Sequence, residues 1–160
     1  MAKSPDPTLK LTTSKGVTRT LDDWSTMFHL CLVVLPARPE AAAYVPIGLR
    51  LFATFGDADC RFAFVVTGPE RIATRLLGEA EDRVVTFVDP DLELVSSLGL
   101  ERLPAFVLLR QDTTLVAAAE GWRPKEWQSV AREAGKVLAW TVPEVRGPGD
   151  PAPFEGWPAA

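Results

Sequence analysis

Three largely apolar runs, each followed by a helical pattern, constrain the fold of this chain more than any other sequence feature. The runs cover residues 30–35, 62–66 and 84–88. The first is continuously apolar, whereas a strand with one face in water alternates apolar and polar residues. Strands covered by helices on both faces show the continuous pattern. The sequence therefore predicts an α/β fold around a sheet with parallel strands.

Helices are predicted between these strands from apolar spacing and from the residues that begin and end them. Thr20 is a predicted N-cap, and the helix that follows it precedes the first strand. Pro46 is expected to bend the next helix, and Gly78 ends the one after it. The predicted helices after the first cover residues 40–55, 69–78, 92–98 and 124–138. Two successive βα units follow from this order.

The pattern changes after residue 104. Residues 105–110 and 114–119 are two apolar runs separated by three residues, a spacing typical of an antiparallel hairpin. The last helix carries an apolar stripe with i, i+3, i+4, i+7 spacing, which must lie against the sheet. The expected result is a central mixed sheet of about five strands with helices on both faces.

The two ends of the chain differ in composition from the middle. Residues 1–16 lack apolar periodicity and are predicted to form an N-terminal arm, residues 17–140 the domain, and residues 141–160 a proline-rich extended tail. The tail carries Phe154 and Trp157, which no regular element can bury locally. We expect these two side chains to dock on this domain or on another chain.

Composition excludes several functional classes. Apolar residues make up 47% of the chain and charged residues 24%, as in globular proteins, and the net charge is −4. Basic residues do not cluster with aromatic residues, so a nucleic-acid partner is not expected. The longest apolar run, residues 30–37, is too short for membrane insertion, and no apolar signal segment begins the chain. We expect a soluble cytoplasmic protein with no cofactor and no metal, since nucleotide-binding and metal-ligand motifs are absent.

Cys31 and Cys60 are the only cysteines, and their spacing matches neither a CxxC pair nor a zinc ligand set. We interpret them as core thiols, because unpaired cysteine is among the most buried residue types. A regulatory disulfide between them remains an alternative, since their strands are predicted to be parallel neighbours. His29 has no nucleophile or orienting carboxylate near it in sequence, so a catalytic role is not predicted.

The order of elements resembles the thioredoxin-like superfamily over about residues 21–140. The most specific stretch is VVTFVDPDLELVSSLGLERLPAFVLLRQDTTLVAAAEGW, which looks like the family segment from an Asp-Pro-Asp turn to the glycine after the hairpin. The extra unit at residues 61–78 is similar to the peroxiredoxin and TlpA-type branch. The resemblance implies a three-layer fold with Pro104 at the family's cis-proline position.

The chain departs from the family where the family carries its chemistry. In one alignment Arg38 and Ala41 stand at the two redox cysteine positions, and Arg38-Pro39-Glu40-Ala41 replaces the CxxC motif. In the peroxiredoxin alignment Glu40 replaces the motif threonine and Ala43 the peroxidatic cysteine. The family's reaction needs a thiolate at a helix N-terminus. The resemblance therefore implies a retained scaffold without its nucleophile.

These observations predict a redox-inactive protein-binding module, such as an accessory subunit, an assembly factor or a chaperone-like adaptor. The expected partner contacts are Arg38, Pro39, Glu40, Ala41 and Pro104, with Trp122, Phe154 and Trp157 as an expected interface. Trp122 and Trp140 are expected to be partly exposed. The alternative is a thiol-disulfide oxidoreductase or a peroxidase-like enzyme that uses Cys31, Cys60 or both. The identity of the protein partner and the oligomeric state stay open.

Overall fold

The structure is a computed structural model that describes residues 1–160. Its main feature is a seven-stranded mixed sheet. Its strands are β1 (Lys10–Thr13), β2 (Thr18–Thr20), β3 (His29–Pro36), β4 (Cys60–Thr67), β5 (Val85–Val88), β7 (Ala105–Leu109) and β8 (Leu115–Glu120), in the order β2-β1-β5-β4-β3-β7-β8. Strands β6 (Arg102–Leu103) and β9 (Trp157–Pro158) form a separate pair. β3, β4 and β5 are parallel, and β7 and β8 form the predicted hairpin.

Six α-helices and one 3-10 helix accompany the sheet, and those between residues 39 and 83 connect its parallel strands. They are α1 (Leu21–Ser25), a 3-10 helix (Pro39–Tyr44), α2 (Val45–Phe55), α3 (Glu70–Leu77), α4 (Ala80–Arg83), α5 (Glu93–Leu98) and α6 (Pro124–Leu138). None of them has the length and apolar composition that crossing a bilayer requires. The α/β architecture and the alternation of strands and helices predicted from the sequence are confirmed.

The central strand β3 is buried on both faces. Cys31, Val33 and Leu35 face one hydrophobic core, which contains residues of α2 and α6. The residues between them face a second core, which contains residues of α1 and α5. Because each face of the sheet is covered, every position from 30 to 35 is withdrawn from solvent. The continuous apolar run in the sequence has this cause.

The sheet has two more strands than predicted. β1 lies within the predicted N-terminal arm and pairs antiparallel with β5 and with β2. Leu11 of β1 is buried, while the neighbouring positions carry polar residues. Such a short strand has a single buried apolar side chain, so no periodicity marks it in the sequence.

The N-cap at Thr20 is confirmed, since its Oγ1 accepts a hydrogen bond from the Asp23 amide at 3.1 Å.

The segment predicted as one bent helix over residues 40–55 is divided in the structure. A 3-10 helix occupies Pro39–Tyr44, and α2 begins at Val45. Pro46 lies in the first turn of α2, where a proline removes no intrahelical hydrogen bond. Proline therefore begins this helix rather than bending it. The short helix α4 was not predicted.

Candidate functional site

The candidate site lies where β3 ends beside the Leu103–Pro104 peptide bond. Ala105 of β7 pairs with Val34 of β3, so Pro104 lies beside the last residues of β3. The Leu103–Pro104 bond is cis, as the resemblance to the thioredoxin-like superfamily implied. Arg38 immediately precedes the 3-10 helix as its N-cap, in extended conformation. The structure therefore brings together the two segments that the sequence analysis proposed as a partner contact.

The C-terminal tail pairs with the backbone directly before Pro104. Trp157 lies opposite Leu103 and Pro158 opposite Arg102, in antiparallel register. The Ala159 amide extends this pairing by donating to the Glu101 carbonyl at 2.9 Å. On the opposite edge, the Arg102 amide donates to the Glu120 carboxylate at 3.1 Å. The tail thus occupies the edge of β6 that Glu120 leaves open.

A second backbone contact holds the tail at Phe154, three residues before Trp157. Trp122 and Phe154 exchange two amide-to-carbonyl hydrogen bonds, each 3.0 Å long. Between the two contacts lies Gly156, with a φ of +96°. A Cβ atom at Gly156 would lie 2.8 Å from the Leu103 carbonyl oxygen and 2.9 Å from the Gly121 Cα. The tail can approach β6 this closely because residue 156 has no side chain.

Four aromatic rings form a cluster under this pairing, which we name the aromatic cluster: Tyr44, Trp122, Phe154 and Trp157. The Tyr44 ring stacks on Phe154 at 6.0 Å between centroids and meets Trp157 edge to face at 5.8 Å. Trp122 meets Tyr44 at 6.2 Å, and Phe154 meets Trp157 at 4.9 Å. Aromatic pairs in these geometries contribute about 0.5–1.5 kcal/mol each beyond the area they bury. The tail is held by side chains as well as by backbone.

Arg38 packs against the outer side of the aromatic cluster. Its guanidinium carbon lies 4.6 Å from the centroid of the Trp157 ring, within the range of a cation–π contact. Its Nε donates to Glu40 Oε2 at 3.3 Å. Hydrogen bonding from its own backbone amide and from Arg38 lowers the pKa of Glu40, so this carboxylate is charged at neutral pH. Arg38, which stands at a redox cysteine position in the family alignment, therefore holds the tail.

The remaining predicted contact residues differ in exposure. Pro39 and Glu40 are exposed, whereas Ala41 and Pro104 are buried. Phe154 and Trp157 are half-buried, and they dock on this domain, which was one of the two expected outcomes. Trp122 is fully buried, so the expected partial exposure is wrong. Because the tail covers Trp122 and accepts its indole Nε1–H through the Pro151 carbonyl at 2.8 Å, the side chain has no open face.

Sequence reasoning missed Tyr44, which contacts all three other rings of the aromatic cluster. It is the only tyrosine of the chain and lies at the last position of the 3-10 helix. Burial raises the pKa of Tyr44, so the phenol stays neutral. The spacing of Phe154 and Trp157 was a usable signal for paired aromatic anchors, but nothing local to Tyr44 marked it as their receptor.

A separate set of contacts fixes the beginning of the tail. The Arg50 guanidinium forms an ion pair with Asp150 at 2.7 Å, and the Gly147 amide donates to the same carboxylate at 2.7 Å. The Asp150 side chain is only 7% exposed. Val145 is fully buried, and its amide donates to Gln128 Oε1 at 2.9 Å. The tail is therefore attached at two places, residues 143–150 and residues 154–159.

We expect Asp150→Asn to destabilise the protein by about 1–3 kcal/mol, because the substitution leaves the partly buried Arg50 guanidinium without its counter-charge. Urea unfolding of the variant and the wild type measures the loss. Glu133→Gln is the matched control, since Glu133 pairs with Lys136 on an exposed surface and such pairs contribute about 0–1 kcal/mol. Equal midpoints for Asp150→Asn and the wild type would contradict the expected role of this ion pair.

None of the residues around the aromatic cluster carries sulfur, and no group of three metal-ligating side chains occurs anywhere in the structure. The groups that are present supply hydrogen bonds, ring faces and charge. Such groups can bind an extended peptide segment, and a thiolate that attacks a disulfide or a peroxide is not among them.

Cys31 and Cys60 lie toward the amino-terminal ends of β3 and β4, away from this site. Cys31 is fully buried and Cys60 half-buried, and neither is in a disulfide. The two cysteines are nonetheless 3.9 Å apart. The prediction that their strands are parallel neighbours is confirmed. Burial of Cys31 agrees with a core role, whereas Cys60 is less buried than a core thiol would be.

His29 begins β3 and lies opposite Cys60 on β4. Burial and the nearby Arg110 lower the pKa of His29 below its ordinary value of 6.5, against a smaller opposite effect of Asp112. The unfolded chain therefore binds more protons than the native protein just below pH 6.5, and stability is lost as the pH falls through this window.

We expect His29→Gln to reduce the loss of stability on acidification. The urea midpoint of the wild type should fall more between about pH 7.5 and about pH 5.5 than the midpoint of the variant, because glutamine does not titrate. A fall of the same size in both proteins would show that His29 does not contribute. The carboxylates common to both proteins serve as the internal reference.

No protein-family model matches the sequence, and no curated protein matches it. Solved structures do match. The thioredoxin domain of a thiol-disulfide oxidoreductase from Bacteroides vulgatus has a TM-score of 0.66 at 16% identity, and the match covers 86% of this chain and 98% of that chain. DsbF of Mycobacterium tuberculosis has a TM-score of 0.66 at 11% identity over 82% and 96%.

A peroxidoxin is similar as well. BcpB of Mycobacterium tuberculosis has a TM-score of 0.62 at 16% identity, covering 87% of this chain and 96% of that chain. Both classes of neighbour match this chain over almost their whole length. The resemblance found in the sequence is therefore confirmed at the level of architecture: this chain has the thioredoxin-like fold.

Proposed function

We propose that this protein, redox-inactive at the family's active-site positions, is a protein-binding module that takes up an extended segment of a partner at the edge of β6. The observation that carries the proposal is the pairing of β6 with an extended aromatic segment, the protein's own residues 154–159. Pairing with an edge strand supplies backbone hydrogen bonds, and pockets for side chains supply specificity. In this protein the edge of β6 supplies the backbone hydrogen bonds, and the aromatic cluster supplies the contacts with side chains.

The chemistry beside this edge supports recognition over reaction. In the CxxC alignment the redox cysteine positions are occupied by Arg38, which contacts Trp157, and by Ala41, which is buried; in the peroxiredoxin alignment Ala43 takes the cysteine position. The solved neighbours include a thiol-disulfide oxidoreductase and a peroxidoxin. Because each is only 16% identical to this chain, the similarity extends to the fold and not to the activity. This role fits an accessory subunit, an assembly factor or a chaperone-like adaptor. The cytoplasmic location stays a prediction.

The expected sequence of the partner segment is inferred from the tail that occupies the edge of β6 in the structure. Phe154 and Trp157 are three residues apart, and Gly156 between them allows close approach to Leu103. We expect a partner to present two aromatic side chains with the same spacing in an extended, proline-containing segment. Such a segment loses little conformational entropy on binding, because proline restricts it beforehand.

The rival function is thiol chemistry at Cys31 and Cys60, which the proximity of the two cysteines favours. An oxidoreductase of this kind would need a thiol that solvent and substrate can reach. Cys31 is fully buried, and Cys60 donates its thiol hydrogen to the Phe55 carbonyl at 3.2 Å. The two functions differ in whether substrate is turned over repeatedly.

A peptide with the sequence of residues 151–160 tests the binding function. Labelled peptide is titrated into the full-length protein and into the full-length Gly156→Ala variant, and fluorescence anisotropy reports binding. We expect binding to the variant and at least about tenfold weaker apparent binding to the wild type, because the tethered tail competes at millimolar effective concentration.

A second peptide, in which alanine replaces the residue corresponding to Trp157, is the control for specificity. Its affinity for the Gly156→Ala protein should fall by about tenfold or more, since it loses the contacts with Tyr44 and Arg38. Failure of both peptides to bind the Gly156→Ala variant would contradict the proposal, and so would equal affinity of the two peptides.

A further inference from the structure

Cys31 and Cys60 are placed so that one can react with the other. Cys31 faces the same side of the sheet as Phe62, its partner on β4, and Cys60 lies two residues before Phe62 on that same side. The two cysteines are 3.9 Å apart. No other cysteine exists in the chain, so any intramolecular disulfide must join these two.

The two thiols differ in access. Cys31 is 0% exposed, whereas Cys60 is half-buried at the first position of β4. Cys60 follows the turn at residues 56–59, which links it to the end of α2. Cys60 is therefore the more accessible of the two thiols, and Cys31 is the only other thiol beside it.

We propose that hydrogen peroxide converts Cys31 and Cys60 into an intramolecular disulfide through a sulfenic acid on Cys60. The Cys60 thiolate attacks one peroxide oxygen, the O–O bond breaks, and hydroxide leaves and is protonated to water. The Cys31 sulfur, losing its proton, then attacks the Cys60 sulfur, and the S–O bond breaks with release of a second water. Two thiols are oxidised and one peroxide is reduced, as in the first steps of cysteine oxidation.

The protonation of the pair agrees with these roles. Hydrogen bonding from Cys31 lowers the pKa of Cys60, against the opposite effects of burial and of Asp59. Hydrogen bonding to Cys60 and burial raise the pKa of Cys31 well above its ordinary value. Cys60 is therefore the first of the two to become a thiolate, which is the reactive form.

Formation of the bond requires a small local movement. A disulfide bond is about 2.05 Å long, shorter than the 3.9 Å between the two cysteines, so their sulfurs must approach each other. Cys31 lies inside the central strand and is fixed on both sides by β4 and β7. The movement therefore falls on Cys60, which must give up its hydrogen bond to the Phe55 carbonyl.

This site is independent of the proposed binding function. It lies toward the opposite end of β3 from Arg38 and Pro104, and no residue of the tail belongs to it. The bond would close a loop that contains the 3-10 helix and α2. A disulfide that forms once and stays formed consumes one peroxide per chain and is not catalytic turnover.

Intact mass spectrometry of the full-length protein tests the proposal. The reduced protein is freed of reductant, exposed to increasing hydrogen peroxide, denatured and treated with N-ethylmaleimide. We expect a product lighter by two hydrogen atoms that takes up no maleimide, and a non-reducing peptide map that links the Cys31 and Cys60 peptides. Dithiothreitol should restore both thiols.

Single variants identify the order of events. In Cys31→Ser, dimedone should trap a sulfenic acid on Cys60, whereas in Cys60→Ser the Cys31 thiol should stay reduced at the same peroxide concentration. The wild-type peptide map decides the matter even if Cys31→Ser fails to fold. Two thiols that still take up maleimide, a sulfinic acid on Cys60 with Cys31 free, or disulfide-linked dimers would each overturn the proposal.

Discussion

Alanine at Gly156 is expected to release residues 154–159 from β6 while the rest of the protein stays folded. The added Cβ meets the Leu103 carbonyl oxygen at 2.8 Å, and the residue must also keep a φ of +96°. Positive φ costs a residue with a Cβ about 1 kcal/mol, and the steric contact adds to this cost. The Arg50–Asp150 ion pair and the buried Val145 hold the earlier part of the tail in place.

Hydrogen exchange measures the release. The amides of Phe154 and Ala159 donate to Trp122 and Glu101 in the native protein, so both are protected. In Gly156→Ala we expect both amides to exchange at least about tenfold faster, which corresponds to about 1.4 kcal/mol of lost protection. Amides in the centre of β3 should exchange at the wild-type rate.

Gly149→Ala is the matched control for this variant. Gly149 also lies in the tail and has a φ of +80°, but a Cβ atom there would meet no atom within 4 Å. The control therefore carries the backbone cost without the contact against β6. If the two variants exposed the Phe154 and Ala159 amides equally, close packing of the tail on β6 would not be what holds it.

Trp122→Ala is expected to cost about 3–5 kcal/mol of stability, the range for a large aromatic side chain removed from a core. Trp122 is 0% exposed and meets the Trp127 ring edge to face at 5.1 Å. It also contacts Tyr44 and donates its indole Nε1–H to the Pro151 carbonyl. The substitution removes packing from the core and from the tail at once. Urea unfolding followed by circular dichroism measures the loss.

Trp140→Ala is the control for loss of a tryptophan as such. Trp140 also donates its indole Nε1–H, to the Thr54 carbonyl at 2.7 Å, but its side chain is 41% exposed, as the sequence analysis expected. We expect a loss of about 1 kcal/mol or less. Comparable destabilisation by the two substitutions would contradict the placement of Trp122 at the junction of core and tail.

Most of the fold could be predicted from the sequence because it follows local patterns. The run at residues 30–35 is apolar since helices cover both faces of β3, and the three-residue spacing after Arg110 closes the β7–β8 hairpin. β1 could not be predicted, because its four residues bury one leucine and gain their strand conformation from pairing with β5. Such pairing depends on residues far away in sequence.

Only the part of the candidate site that depends on the strand order could be predicted from the sequence. The segments around Arg38 and Pro104 follow from the strand order, and the structure places them together. The tail position depends on contacts between residues 154–159 and residues 101–122, which no local pattern records. Trp122 was misjudged as partly exposed because it follows a hairpin at the surface, and its burial comes from the tail that covers it.

The proposed function of this chain is recognition of an extended segment without turnover of thiol substrates. The most direct measurement is multiple-turnover assay of the reduced full-length protein with a disulfide substrate and, separately, with hydrogen peroxide, each with excess reductant. With the disulfide substrate we expect no rate above that of the Cys31→Ser/Cys60→Ser chain. With peroxide we expect no sustained rate beyond about one equivalent per chain. Continued turnover that disappears in the double variant would contradict the proposed function.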